Sequence, residues 1–399
     1  MINLETPRKF RALVNQAHQV AAEMLRPNSR KYDLAEHEYP VELDMLAAMV
    51  DGLGASGTGS GAGASGVRRT ASAEGVVNGS NLSSVLSIME MCWGDVGLLL
   101  SMPRQGLGNS AIASVASEEQ LRRFDGVWAA MAITEPGCGS DSANIRTTAR
   151  LDGDSYVLDG EKIFVTAGGR CDAVVVWATL DRSLGRAAIK SFVVMKDTPG
   201  LSVERLDHKL GIRASDTATI RLENCRVPRS NLLGSPDIDK GFASVMQTFD
   251  NTRPLVAAMA VGCARASLEL TRSLLAEAGV EVDYDHPVHL QPAAAASYLS
   301  MEADWEAAYL LTLQAAWMAD NGQPNSLQAS MAKAKAGRTA NDITLRCIEL
   351  TSTLGYSEHQ LLEKWSRDSK ILDIFEGTQQ IQQLIVARRL LGKTSTELK

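Results

Sequence analysis

Apolar residues recur at helical spacing at both ends of this chain and in short runs through its middle. Phe10, Leu13, Val14, Ala17, Val20, Ala21 and Met24 mark one helical face. Thr6-Pro7 before them offers a helix start with proline at the first helical position. Further helices are predicted over 41–49 and 82–100. Between about 126 and 236 the rhythm changes. Tyr156-Val157-Leu158 and Ile163-Phe164-Val165-Thr166 read as hairpin strands turning at Asp159-Gly160. Short runs at 173–177, 192–195 and 218–222, with turn residues between them, add three more strands. Such strands suit a compact antiparallel barrel or sandwich. From about 240 the pattern is helical again, with alanine- and leucine-rich stretches over 241–274, 293–320 and 325–353 that suit a bundle. The expected fold is α+β and multidomain: an N-terminal helical domain (1–125), a β domain (126–236) and a C-terminal four-helix-bundle domain (237–399).

One segment interrupts the first domain. Residues 51–72 are rich in Gly, Ser, Ala and Thr, and Gly61-Ala62-Gly63-Ala64-Ser65-Gly66 formally matches a dinucleotide-binding pattern. No strand precedes it and no apolar-periodic helix follows directly, so the expectation is a flexible loop without chemistry.

The chain has 399 residues, 45% hydrophobic and 22% charged, as an ordinary globular enzyme of two or three domains would. A net charge of −7 argues against general nucleic-acid binding. No apolar run approaches the ~20 residues of a membrane span, and Met1-Ile2-Asn3-Leu4-Glu5-Thr6 shows no secretory signal. Six scattered cysteines form no Cys-x-x-Cys pair and the six histidines no ligand-spaced cluster, so no metal site is expected. Free thiols fit a cytoplasmic location.

The strongest chemical signal lies near the C-terminus. In Asp373-Ile374-Phe375-Glu376-Gly377-Thr378-Gln379-Gln380 a lone carboxylate precedes a glycine and a threonine. Thr378 can cap the following helix, whose apolar positions are Ile381, Leu384, Ile385 and Leu390. Backbone N–H groups at such a terminus can polarise a substrate carbonyl, making Glu376 a candidate base. The plainer reading is that Glu376 satisfies helix-end donors.

A second segment, Met131-Ala132-Ile133-Thr134-Glu135-Pro136-Gly137-Cys138-Gly139-Ser140-Asp141, precedes the hairpin. With Phe375-Glu376-Gly377-Thr378 it closely resembles the acyl-CoA dehydrogenase family. Leu210-Gly211-Ile212-Arg213-Ala214-Ser215-Asp216-Thr217, Val227-Pro228-Arg229-Ser230-Asn231, Phe249-Asp250-Asn251-Thr252-Arg253-Pro254 and Arg367-Asp368 continue the match in the family's order, over roughly residues 80 to 392.

The resemblance implies FAD-dependent α,β-dehydrogenation of an acyl-CoA thioester, with electrons passed to an electron-transfer flavoprotein. Glu376 matches the glutamate that takes the α-proton. Some relatives carry the base just before the arginine of Asp-x-x-Arg; Thr252 stands there and cannot serve. Met131, Ile133, Thr134, Gly139 and Ser140 match the segment lining the flavin, with Thr134 at the ring edge. Phe164 stands where a tryptophan is usual, Val165 follows it, and Thr166 matches the threonine that bonds N5. Gln291, Thr378 and Gln380 match further FAD contacts. Ser140, Asp250, Arg253, Gly377 and Arg388 match substrate-binding positions. Plain alternatives are that Phe164 is barrel core, Thr134 a strand-end residue, and Asp250 with Arg253 a structural i,i+3 pair.

Two departures bear on assembly. In the family a neighbouring subunit helps to hold FAD through Arg-x-x-Phe-Gly and Gln-x-x-Gly-Gly elements. Residues 276–285 here carry Glu277, Glu281, Asp283 and Asp285 and lack the arginine. Glu349 replaces the glutamine, and Ser352-Thr353 the two glycines. A carboxylate near a pyrophosphate is unfavourable, so the resemblance leaves open a homo-oligomer or a hetero-oligomer with a related acyl-CoA dehydrogenase subunit. A non-catalytic or flavin-sharing subunit, an acyl-CoA oxidase-like enzyme and a monooxygenase are the alternatives. Glu376 argues against the last.

Overall fold

The computed structural model describes residues 6–55, 77–103, 107–237, 241–394 and 397–398, without side chains at 49–55 and 241–251. Among the described residues, seven α-helices open the chain: α1 (Arg11–Val20), α2 (Ser29–Leu34), α3 (Glu42–Ala55), α4 (Ser80–Gly94), α5 (Val96–Leu100), α6 (Leu107–Val115) and α7 (Glu118–Arg123). Pro7 stands just before a short 3-10 turn, Arg8–Phe10, which leads into α1. Helix α3 runs on to Ala55, into the segment expected to be a loop; the rest of that segment lies outside the described residues.

The helix expected over 82–100 is two helices. Asp95 breaks it with extended backbone, and its carboxylate accepts the Leu98 N–H at 2.8 Å to cap α5. An aspartate prefers capping to a helix interior because its short carboxylate competes for backbone donors.

The strands are β1 (Ala129–Ala132), β2 (Thr148–Asp152), β3 (Ser155–Thr166), β4 (Ala173–Thr179), β5 (Ile189–Met195), β6 (Leu201–Leu206), β7 (Thr217–Pro228) and β8 (Leu232–Leu233). They form one sheet in the order β6-β7-β3-β2-β4-β5-β8, with β1 beside β4. Pairing is antiparallel except where β1 and β2 meet β4. The sheet surrounds one core that includes Ala130, Leu158, Val174, Phe192 and Ile220. A second cluster, with Ile112 of α6, Val175 and Val193, covers its other side.

The expected hairpin is not there. Tyr156 to Thr166 is one strand, and Asp159-Gly160 is a bulge where its pairing with β7 slips. The turn falls instead at Asp152-Gly153-Asp154-Ser155, between β2 and β3. Gly160 is needed for close approach: a Cβ there would lie 2.4 Å from the Thr147 hydroxyl.

The C-terminal helices are α8 (Gly241–Glu277), α9 (Ala293–Asp320), α10 (Ser326–Thr351), α11 (Thr353–Tyr356), α12 (Leu362–Leu372) and α13 (Gln379–Leu391). The three long ones fall where the periodicity places them. They share one core with α4, through Val85, Met89, Ala257, Val261, Ala315, Ala336 and Trp365. Thr252–Glu277 of α8 is long and apolar enough to cross a membrane, but 72% of its most apolar window is buried inside the protein.

A buried ionic knot ties α12 to the N-terminal helices and to the loop before β7. Lys364 donates to Asp95 at 2.5 Å and to Asp368 at 2.6 Å, and Asp368 accepts the Ile212 N–H. All three charged side chains are almost fully buried.

Candidate active site

Glu376 lies in the turn between α12 and α13. Its φ is 56°, and that of Gly377 is 94°. A non-glycine residue in the left-handed region is held there by its surroundings. Here the Gln382 side-chain amide donates to the Glu376 carbonyl at 3.0 Å and to the Gly377 carbonyl at 3.2 Å. Lys333 of α10 donates to the Gly377 carbonyl at 2.7 Å. Helix α10 comes this close because of Gly337, one turn further on. A Cβ there would sit 2.8 Å from the Leu372 carbonyl.

The turn aims the Glu376 carboxylate at α8. Thr252 Oγ1 donates to Oε2 at 2.7 Å. The start of α13 is capped by the Thr378 hydroxyl, which accepts the Ile381 N–H at 3.4 Å. That cap was expected, and the carboxylate is thereby left to Thr252 instead of serving the helix end. The predicted apolar face of α13 is only half-buried at Ile381, Leu384 and Ile385, and Leu390 is exposed. Gln379 and Gln382 are the residues it buries.

Burial pushes the Glu376 carboxyl above the usual carboxylate range, against the Thr252 hydrogen bond and then the charges of Arg253 and Lys333. Lys333 is itself fully buried. Loss of water pushes its ammonium down to about 8; Asp373 and Glu376 oppose that shift, and Arg253 adds to it. The result is a proton acceptor poised closer to neutrality than a solvated glutamate, which is what a general base requires.

The residues assigned to the flavin collect along β1 and the end of β3. The Ile163 N–H donates to the Thr134 carbonyl at 2.9 Å, joining the two segments. Beneath them buried Lys162 donates to the Ile133 carbonyl at 3.0 Å and to Glu135 at 2.8 Å. A second bulge, between Lys162 and Val165, throws Phe164 outward with a φ of 58° and 63% exposure. Phe164 is therefore not barrel core. Thr134 and Thr166 are half-buried beside it, while Val165 points into the core and offers only its backbone. Met131 and Ile133 pack against the second cluster. Gly139 and Ser140 are exposed.

Of the other assigned residues, Gln291 and Arg388 sit apart from the Glu376 turn, while Gln380 and Arg253 lie close to it. Gln291 folds its amide onto its own loop, donating to the His286 carbonyl at 3.0 Å and accepting the Asp283 N–H at 3.1 Å. Arg388 lies in the last turn of α13, roughly 13 Å along the axis from Gln379, and donates to the Leu398 carbonyl at 2.6 Å. Gln380 is exposed on the first turn. Arg253 is buried near Glu376, and Asp250 lies on α8 with its side chain outside the described residues. Glu349 is not a bare charge: Arg346 pairs with it at 2.5 Å. Ser352 adopts φ 53°, ψ −127°, a conformation glycine would take freely.

Sequence reasoning missed Lys333 and Gln382, whose types carry no motif and whose roles exist only once α10 and α13 pack on the turn. It also missed a cluster joining two distant loops. Glu36, His37 and His208 bring possible ligand atoms within 4.8 Å of one another. Glu36 is already hydrogen-bonded to His208 and to the Lys209 N–H, with the charge of Arg213 beside it.

A half-buried carboxylate on a constrained turn, its pKa pushed up and two cations near it, has the properties needed to take a proton from a weak acid. Residues 239–391 match the family model described as acyl-CoA dehydrogenase, C-terminal domain, and residues 130–225 match acyl-CoA dehydrogenase, middle domain. The chain is 33% identical over 400 residues to the mitochondrial short-chain specific acyl-CoA dehydrogenase of Bos taurus, covering 98% of this chain and 92% of that protein. It is 32% identical over 324 residues to the short-chain specific acyl-CoA dehydrogenase of Clostridium acetobutylicum, covering 79% and 84%. Among solved structures, the butyryl-CoA dehydrogenase from Megasphaera elsdenii aligns with a TM-score of 0.83 at 27% identity, covering 98% of this chain and 100% of that one. This chain belongs to the acyl-CoA dehydrogenase family.

Proposed function

We propose that this chain oxidises an acyl-CoA thioester to the trans-2-enoyl-CoA, with Glu376 as the base and an electron-transfer flavoprotein as the electron acceptor. The observation that carries this reading is the Glu376 carboxylate itself, desolvated and held by Thr252 on a turn fixed by Lys333 and Gln382. The α-hydrogen of a thioester is weakly acidic. Glu376 takes it as a proton, and a backbone N–H of the turn can hold the charge that develops on the thioester oxygen. The Thr252 hydrogen bond, then the charges of Arg253 and Lys333, oppose the upward push of burial and so favour the carboxylate form of Glu376.

No side chain accepts a hydride, and FAD, when bound, supplies that acceptor for the β-hydrogen. The β1–β3 edge fits such a group. Phe164 is an exposed aromatic held outward by a bulge, next to the half-buried hydroxyls of Thr134 and Thr166. A flat ring system would cover the one and hydrogen-bond to the others. The names of the relatives make a short acyl chain the first substrate to try.

The reading includes assembly with a second, related subunit. In support, the 276–285 loop is acidic, Gln291 is turned into that loop, and Leu345, Leu354, Tyr356, Leu390 and Leu391 stand exposed on the C-terminal helices. Expressed alone, the chain should hold FAD substoichiometrically, and co-expression with a related subunit should restore it. One firmly held FAD per chain in a homotetramer with full turnover would refute the heteromer. The dehydrogenase reading is tested by Glu376→Gln. The isosteric amide should leave folding and flavin content intact and lower butyryl-CoA oxidation by about 10³-fold. Activity within tenfold of the unaltered protein would overturn it.

A further inference from the structure

The Gly377 carbonyl accepts two hydrogen bonds, from Gln382 at 3.2 Å and from Lys333 at 2.7 Å. The neutral amide of Gln382 already satisfies this acceptor. A buried ammonium beside it costs desolvation that a second neutral donor would avoid. What Lys333 adds is charge, at the root of the turn that bears Glu376. Its surroundings are specific. Arg253 faces it from α8, and Asp373 from the end of α12, where Arg338 and Lys370 lie 3.8 and 3.5 Å from that carboxylate. Glu376 faces it from the turn and Gln382 from α13.

We propose that Lys333 is a positioning residue for the base, one that fixes the Glu376-Gly377-Thr378 backbone through the Gly377 carbonyl and holds Glu376 in its ionised form through its charge. The proposal rests on Glu376 being the base. Before proton transfer the Glu376 carboxylate and the Lys333 ammonium offset one another. When Glu376 takes the α-proton, the ammonium is left facing the remaining charges of Arg253 and Asp373. Return of that proton to solvent restores the pair, so Lys333 favours resetting of the base.

Two variants separate the two roles in the FAD-loaded protein. Lys333→Met removes both donor and charge; Lys333→Gln keeps a donor and removes the charge. Butyryl-CoA oxidation is followed from pH 5.5 to 9.5, and hydrogen–deuterium exchange is read on the peptide covering 371–384. Lys333→Met should lower kcat by about tenfold with KM changed less than about threefold, because Lys333 is fully buried against the Gly377 carbonyl and acts through the turn. The acid limb, where Glu376 must lose its proton, should move up by about half a unit or more, since a neighbouring positive charge has gone. Exchange over 371–384 should quicken several-fold. Lys333→Gln should restore slow exchange but not the position of the limb. If both variants keep the original limb and exchange rates, the proposal is wrong; if Lys333→Met fails to fold, Lys333→Gln decides by its limb. Glu376→Gln run alongside separates the two readings. Full activity there removes the base assignment itself. An inactive Glu376→Gln with unshifted Lys333 variants removes only the role of Lys333.

Discussion

Replacing Thr252 by valine tests whether a hydrogen bond from α8 sets the working range of Glu376, the proposed base. The hydroxyl donates to Glu376 Oε2 at 2.7 Å, and Thr252 is only 3% exposed, so water does not readily take its place. Valine keeps the branched shape and removes the donor. A hydrogen bond to an ionised group contributes about 1.5–3 kcal/mol, and a neutral carboxyl accepts a weaker one. If roughly half of that preference is lost, the carboxylate form is destabilised by about 1.4 kcal/mol, or about one pH unit. The sign follows from the chemistry. As the proposed base Glu376 must be ionised to act, burial already raises its pKa, and loss of the donor raises it further. The acid limb of kcat/KM should therefore move up by about one unit. Activity should fall about tenfold below the limb and change little above it. The assay is kcat/KM for butyryl-CoA across pH 5.5 to 9.5, with flavin content checked at each end. A limb within about 0.3 units of the original would refute the reasoning. So would an equal loss at every pH, which would mean that Thr252 governs geometry instead of charge.

Ser352→Gly should stabilise the protein. A residue at φ 53°, ψ −127° carries about 1–3 kcal/mol of strain, against about 0.5–1 kcal/mol for the extra freedom of glycine in the unfolded chain; a lower urea midpoint for the variant would contradict this. Lys364→Met should destabilise by about 3–5 kcal/mol, because it leaves Asp95 and Asp368 buried together without their cation. A melting temperature within a degree of the original would show that the knot adds no stability.

The chain's periodicity was enough to place α8, α9 and α10, because helices of 26 to 37 residues repeat their apolar spacing many times over. Short local chemistry was legible too. Thr378 announces the cap of α13, and Glu376-Gly377 announces a carboxylate on a tight turn. Where one signal occurs twice, sequence does not choose. Asp152-Gly153 and Asp159-Gly160 are equally good turn dipeptides, and only the pairing of β3 with both β2 and β7 makes the first a turn and the second a bulge. The break at Asp95 combines a local cap of the Leu98 N–H with a pairing to Lys364 from α12, and only the second is invisible in the sequence. The site shows the division most clearly. Glu376 could be singled out as a candidate from its neighbours in the chain, but its properties could not. Thr252 lies 124 positions away and Lys333 lies 44 positions from Gly377. A pKa is set by what surrounds a group in space, and that environment exists only when α8, α10 and α13 close on the turn.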